Sequence, residues 1–247
     1  MNVFVAKRNI VDYIYKSANL EGISVTYPET QQIYDGGNVA RLKVDEIVAI
    51  NNLKHAWQFI LDEPPLPDNY AVLCEINRII GSNLIPLAGT IRSVPVKMGG
   101  TSWIPQLPIE SQIKEELDIH LQIENQTDRA ITIMLWGMRR QMFLDGNKRT
   151  SMLFANKIMI DNGCGIIEIP IEKQAEFYTK LIKFYETNEM EELKTWIYDE
   201  CIDGIDMDNR TLQKSKNIRE QIIQAEKKKE KSSKINIRKK DEIDLSK

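Results

Sequence analysis

The residues at 141–150, QMFLDGNKRT, put one carboxylate, one glycine, one amide and two cations next to one another at positions 145–149. An apolar helical run, ITIMLWGMRR, leads into this knot, and a second, SMLFANKIMI, leaves it. Gly146 lets the chain turn tightly and lets a ligand approach the backbone. Asn147, Lys148, Arg149 and Thr150 then form the first turn of the next helix. Their N–H groups lack intrahelical partners there, and the positive end of the helix dipole points outward. Such a place binds anions, phosphate above all. Lys148 and Arg149 oppose the dipole at a cost of ~0.3–1 kcal/mol each, which a bound anion would offset. Beside a phosphate, Asp145 is a natural oxygen ligand for Mg²⁺. The spacing is not the Gly-x4-Gly-Lys-Ser/Thr of a Walker loop. A plain inter-helix turn remains the other reading, with Asp145 as a cap and both cations solvated.

The elements that position this knot read as helices. Apolar residues recur every three to four positions over residues 3–20, 29–34, 44–61, 69–80, 109–121, 128–142, 147–162, 172–186 and 190–199. Gly22 and Gly163 stand where helices should stop, and Thr127 or Asp128 is the expected cap of the helix before the knot. One stretch differs: LAGTIRSVPVKMGGTSWIPQLP alternates β-branched residues and carries a Gly99-Gly100 turn signal, so it predicts a hairpin. The expected fold class is mainly α, a helical bundle with one β-hairpin flap. The chain has 247 residues, 42% of them hydrophobic and 28% charged, enough to bury a sizeable core. A net charge of −3 gives no argument for nucleic acid or acidic lipid, and no apolar run approaches the roughly 18–20 residues that cross a bilayer. The start, with Asp12 inside an amphipathic run, does not read as a signal peptide. Cys74, Cys164, Cys201, His55 and His120 are too scattered for a disulfide framework or a zinc site, so the expected setting is cytoplasmic and reduced. From about residue 206 the chain turns lysine-rich and poor in large apolar residues, the composition of a solvated tail.

FLDGNKR resembles the core of the Fic (Fido) family signature, His-x-Phe-x-Asp-Gly-Asn-x-Arg, with Phe143, Asp145, Gly146, Asn147 and Arg149 in place. LWGMRR resembles the family's active-site helix, and Thr150 with FANKIMIDNGCGIIEIP is similar to the branch whose loop reads GNKRT. AGTIRSVPVKMGG…WIP stands where the family has its flap, and Ser17-Ala18-Asn19-Leu20-Glu21-Gly22 matches its inhibitory pattern Ser/Thr-x-x-x-Glu-Gly/Asn. The similarity spans roughly residues 1–205. It implies an N-terminal segment at 1–40 carrying the inhibitory helix, a Fic domain at 41–205 and a charged tail at 206–247. By the resemblance, the chain would bind ATP with Mg²⁺ and transfer AMP to a Ser, Thr or Tyr hydroxyl of a protein. Asp145 would hold the metal, the amides of Gly146 and Asn147 would cradle phosphates, and Lys148 and Arg149 would counter their charge. Ser17 and Glu21 would inhibit. Thr90, Ile91, Arg92, Ser93, Val94 and Val96 would pair with the target backbone as an added strand.

Two positions depart from that pattern. The family's general-base histidine is Gln141 here, and a carboxamide has no usable basic pKa, although it can orient a hydroxyl or a water. General-base assistance is commonly worth about 10²–10⁴-fold. The second arginine that the inhibitory glutamate usually meets is Met152, which leaves Lys148 or Arg149 as partners for Glu21. Three readings follow: a nucleotide-dependent modifier of protein hydroxyls with weakened or altered chemistry, a catalytically dead Fic protein that binds nucleotide or partner, and a plain helical interaction protein. The charged loop at 145–149 argues against the third.

Overall fold

The computed structural model describes residues 2–62 and 66–204. The lysine-rich tail expected from residue 206 lies outside the described residues. Helices dominate the rest: α1 (Asn2–Leu20), α2 (Tyr27–Tyr34), α3 (Val44–Asp62), α4 (Tyr70–Ile80), α5 (Glu110–Leu121), α6 (Gln126–Arg140), α7 (Asn147–Asp161), α8 (Gln174–Thr187) and α9 (Glu191–Glu200). Local chemistry explains several boundaries. Thr26 and Glu29 form a reciprocal capping box on α2, and the Asn69 side chain caps α4. α1 ends in a Schellman pattern, with Gly22 left-handed at φ 81° and the Ile23 N–H reaching back to the Ala18 carbonyl at 3.0 Å. The cap of α6 is Asn125, not Thr127 or Asp128; its side chain accepts from the Asp128 N–H, because the helix starts two residues before the apolar stripe does.

α7 is the hub, and α6, α4 and α3 pack around it. Residues 130–138 of α6 and 149–160 of α7 are buried on every face, which is why neither shows a clean polar side. The two helices cross at Gly137, where a Cβ would stand 2.4 Å from the Ser151 hydroxyl oxygen. Any larger residue there would force the helices apart. α1 lies against α3 and α7, so the residues preceding Gly22 reach the start of α7.

The β structure is not where the alternation placed it. Among the described residues the sheet is a short antiparallel pair, β1 (Ile166–Ile167) and β2 (Ile202–Asp203), with Ile167 opposite Ile202. Asn156 of α7 fixes β1 by accepting from the Ile167 N–H at 2.6 Å and donating to its carbonyl at 2.8 Å. Residues 90–109 form an irregular strap with a single antiparallel bridge, Ile91 to Phe143. The Gly99-Gly100 turn is present, with Gly100 left-handed, but prolines at 105 and 108 remove N–H donors from the return limb, so the stretch does not pair with itself. The expected hairpin is therefore a strap, tied to the knot rather than to its own return limb.

Candidate functional site

The knot is shaped by two left-handed residues. Gln141 ends α6 at φ 46°, and Gly146 starts α7 at φ 76°. A Cβ on Gly146 would also press on Asn77 of α4 at 3.2 Å, so both conformation and space select glycine. The Asn147 amide cinches the intervening loop: its oxygen accepts from the Phe143 N–H at 2.9 Å, and its nitrogen donates to the Phe143 carbonyl at 2.9 Å and to the Gln141 side chain at 3.1 Å. Asn77 holds the loop from below, donating to the Asp145 carbonyl at 3.1 Å and to the Thr150 hydroxyl at 3.0 Å. Its own oxygen accepts from the Gly89 N–H at 2.8 Å, which couples the strap to the loop.

Around this loop opens a cleft of about 390 Å³, within the range of small-ligand pockets. Glu21, Asp145, Asn147 and Lys148 line one side, residues 96–99 of the strap another, and Tyr178, Ile182 and Tyr185 of α8 the third. Glu21 arrives from the end of α1 and meets both cations, 3.5 Å from Lys148 Nζ and 3.4 Å from Arg149 Nε. Burial works to lower the Lys148 pKa, but the Glu21 carboxylate and the Tyr178 phenol outweigh it and hold the ammonium above its ordinary value. Tyr178 accepts from Lys148 at 3.1 Å and donates to the Leu20 carbonyl; one turn earlier, Gln174 donates to the Lys16 carbonyl at 2.9 Å. α8 thus fastens the end of α1 over the start of α7. Ser17 sits apart from the cations, beside Met152 in a small cavity between α1 and α7.

Three buried polar atoms in this region have no hydrogen-bond partner: Glu21 Oε1, Arg149 Nε and the Tyr185 hydroxyl. Burial first, then the nearby Glu21 and Tyr178, raise the Tyr185 pKa, so it stays a neutral donor. The Arg149 Nε, met only by Glu21, and the Tyr185 hydroxyl, close to the Gln141 side chain, are under-bonded donors near an uncapped helix N-terminus, an arrangement that suits a polyanion. Asp145 is exposed at the cleft edge, with one oxygen 3.5 Å from Arg149 Nη2. Its other oxygen accepts from the Gly146 N–H at 2.6 Å, so that amide is not open to a phosphate in this conformation. Among the described residues no cluster of three His, Cys, Asp or Glu side chains could hold a metal alone. A single exposed carboxylate next to phosphates nevertheless suits Mg²⁺, which keeps most of its waters and shares its remaining positions with a nucleotide.

Gln141 is buried, and both ends of its amide are engaged. Its nitrogen donates to the Met138 carbonyl at 2.6 Å, and its oxygen accepts from Asn147. Arg92 is turned inward. Its guanidinium donates to the carbonyls of Gln141 at 2.6 Å, Gln106 at 2.6 Å and Val94 at 2.8 Å, and its backbone N–H donates to Met142. Of the expected target-pairing row, Arg92 is therefore a buried clamp and Ile91 bridges Phe143, while Thr90, Ser93 and Val94 are exposed and Val96 lines the cleft. Tyr178 and Tyr185 were absent from the expected site. Their only signal is the i, i+7 spacing with Leu181 and Ile182, which reads equally as a core stripe.

Residues 67–159 match the model of the Fic/DOC family. The chain is 26% identical over 183 residues to "Protein adenylyltransferase fic-1" of Caenorhabditis elegans, covering 68% of this chain and 35% of that protein. It spans about a third of the length of the curated relatives it matches. Among solved structures, Fic-1 of C. elegans superposes with a TM-score of 0.67 at 22% identity, covering 78% of this chain and 62% of that one. A Fic family protein of Desulfovibrio desulfuricans G20 gives 0.68 at 15% identity over the same shares. These findings support membership of the Fic/DOC family, and the mainly helical fold is that of its solved members. No helix among the described residues is long and apolar enough to cross a membrane.

Proposed function

We propose that this chain binds ATP with its phosphates at the start of α7 and acts as a protein adenylyltransferase of altered or weakened chemistry. The observation that carries the reading is the buried Arg149 Nε beside the α7 N-terminus, which makes no hydrogen bond and is met only by the Glu21 carboxylate at 3.4 Å. Asp145 would hold Mg²⁺, which when bound neutralises phosphate charge. Arg149 and Lys148 would bind the phosphates, and the exposed residues of the strap would bring up the target's backbone. In the reaction, the oxygen of a Ser, Thr or Tyr hydroxyl bonds to the α-phosphorus while the bond to pyrophosphate breaks. The hydroxyl proton needs an acceptor, and Gln141 is not one. The second reading is a nucleotide-binding Fic protein without transfer activity, favoured by the Gln141 amide being tied at both ends. Incubating the chain and cell lysate with α-labelled and γ-labelled ATP in parallel separates these readings. Protein label from the α position alone supports adenylyl transfer, label from γ alone indicates phosphoryl transfer, and no label leaves nucleotide binding only.

Two substitutions test the phosphate assignment. Arg149→Ala should weaken ATP·Mg²⁺ binding by about 1–3 kcal/mol, the scale of a charge-assisted hydrogen bond; unchanged affinity by calorimetry would remove Arg149 from the site. Glu21 occupies ground that a polyphosphate's outer charge would need, so Glu21→Gly should strengthen binding of ATP more than of AMP. Equal gains for both nucleotides would mean that Glu21 does not compete with that phosphate.

A further inference from the structure

A second concavity, of about 430 Å³, lies between residues 103–106, the last turn of α6 and the junction of α8 with α9. Trp103, Ile104, Phe184 and Met190 form apolar walls, and its cations are Arg139 and Arg140. No carboxylate lines it. Arg140 is balanced by Glu116, whose oxygen accepts from its Nε at 2.9 Å. Arg139 is not balanced. Its Nε donates to the Tyr185 carbonyl at 3.2 Å and its guanidinium lies over the Trp103 ring at 4.6 Å, but among the described residues no carboxylate pairs with it. Burial lowers its pKa with no charge to offset that cost. The buried Arg92 lies close enough to Arg140 for the two guanidinium charges to repel, so Glu116 has more than one cation to offset. His120 adds no charge at pH 7, because burial holds its imidazole below the ordinary value, with Glu116 raising it and Lys194 lowering it.

The α6 dipole favours cations in this last turn. It does not account for a half-buried guanidinium packed on aromatic rings without a counter-charge. The rings themselves are engaged: Trp103 stacks on Tyr185 at 5.6 Å, and Trp136 donates to Glu116 and meets His120 edge-on. They leave a grip for a carboxylate rather than a platform for a nucleobase. Ile104, itself on the cleft wall, is followed along the strap by Leu107 and Ile109, a ridge of apolar residues in chain order exposed at 61%, 52% and 53%.

We propose that this cleft docks an extended acidic segment of a partner protein, with an Asp or Glu carboxylate on Arg139 and neighbouring apolar side chains along Ile104 and the ridge. Arginine offers a planar fork that matches a carboxylate, and the adjoining apolar walls give such a segment area to bury. This inference does not rest on the nucleotide reading: the two clefts share only Tyr185, whose carbonyl accepts from Arg139 and whose ring stacks on Trp103.

Selection of a random decapeptide library on the full immobilised chain tests it. The enriched peptides should carry Asp or Glu beside Leu, Ile or Phe, and their binding, read by fluorescence polarisation, should weaken as salt is raised. Arg139→Gln should weaken the same peptides roughly 10- to 100-fold. Ile104→Glu, an exposed change that places a like charge at the mouth, should do so without disturbing the fold, which a circular-dichroism melt checks. Enrichment without acidic residues, or binding that survives both variants, overturns the proposal. So does binding lost in Arg149→Ala and kept in Arg139→Gln, since the peptide would then be using the other cation pair.

Discussion

Gln141→His combined with Glu21→Gly is expected to label protein from α-labelled ATP about 10²–10⁴-fold faster than Glu21→Gly alone. The gain should rise with pH through the imidazole range, near roughly 6.5. The site is already shaped for the ring. Position 141 is left-handed at φ 46°, and histidine is among the few non-glycine residues enriched in that conformation. The Met138 carbonyl, which now accepts from the glutamine amide at 2.6 Å, would take one ring N–H and set the tautomer. The second nitrogen then carries the lone pair, which must exchange the bond that the Asn147 amide now gives the Gln141 oxygen for one from the hydroxyl before it takes the proton. Removing Glu21 in the same variant separates the missing base from any competition with phosphate. A double variant that binds ATP yet labels no faster than Glu21→Gly would end the hypothesis of a one-residue deficit, and the non-catalytic reading would take its place.

Arg92→Met should destabilise the chain by on the order of 3 kcal/mol, seen as a lower urea midpoint with an unchanged slope. The guanidinium serves carbonyls from three separate segments: Gln141 at the end of α6, Val94 in the strap, and Gln106 at its far limb. Methionine fills much of the volume but returns none of those donors, so the buried Gln141 carbonyl and the part-buried carbonyls of Val94 and Gln106 lose their partners. Because Arg92 also opposes burial of its own charge, aided only by carbonyl dipoles, the net loss is smaller than the sum of its bonds. The same change should free residues 90–106 from the knot, read as faster hydrogen exchange there than in α7. A loss below about 1 kcal/mol would mean that the strap is held by its bridge at Ile91 and not by this clamp.

Much of the architecture was legible in the residue order. The helices carry their own 3.6-residue apolar period, and the Gly22 stop acts within one turn of where it stands; the Thr26–Glu29 and Asn69 caps are as local, but only the structure singled them out. The chemistry of the knot was legible for the same reason: glycine, amide, carboxylate and cations fall at fixed offsets around one helix start. What the order left open were the partners those groups would choose. Val94, Val96 and their neighbours alternate like a strand, yet their pairing limb is closed off by prolines, and the bridge goes to Phe143, some fifty residues away. Tyr178 and Tyr185 look like core residues until α8 is laid across the end of α1. Glu21 acquires two cations and Arg139 no carboxylate only once α1, α6, α7 and α8 are docked. By itself the sequence determined where the helices lie, to within about two residues at the ends of α6, and which polar groups share a turn, because propensity, capping and periodicity are interactions between near neighbours. The cleft, the clamp and the unbalanced arginine were decided by tertiary packing, because a counter-charge or a buried carbonyl can be supplied by any segment that the core brings within a few ångströms.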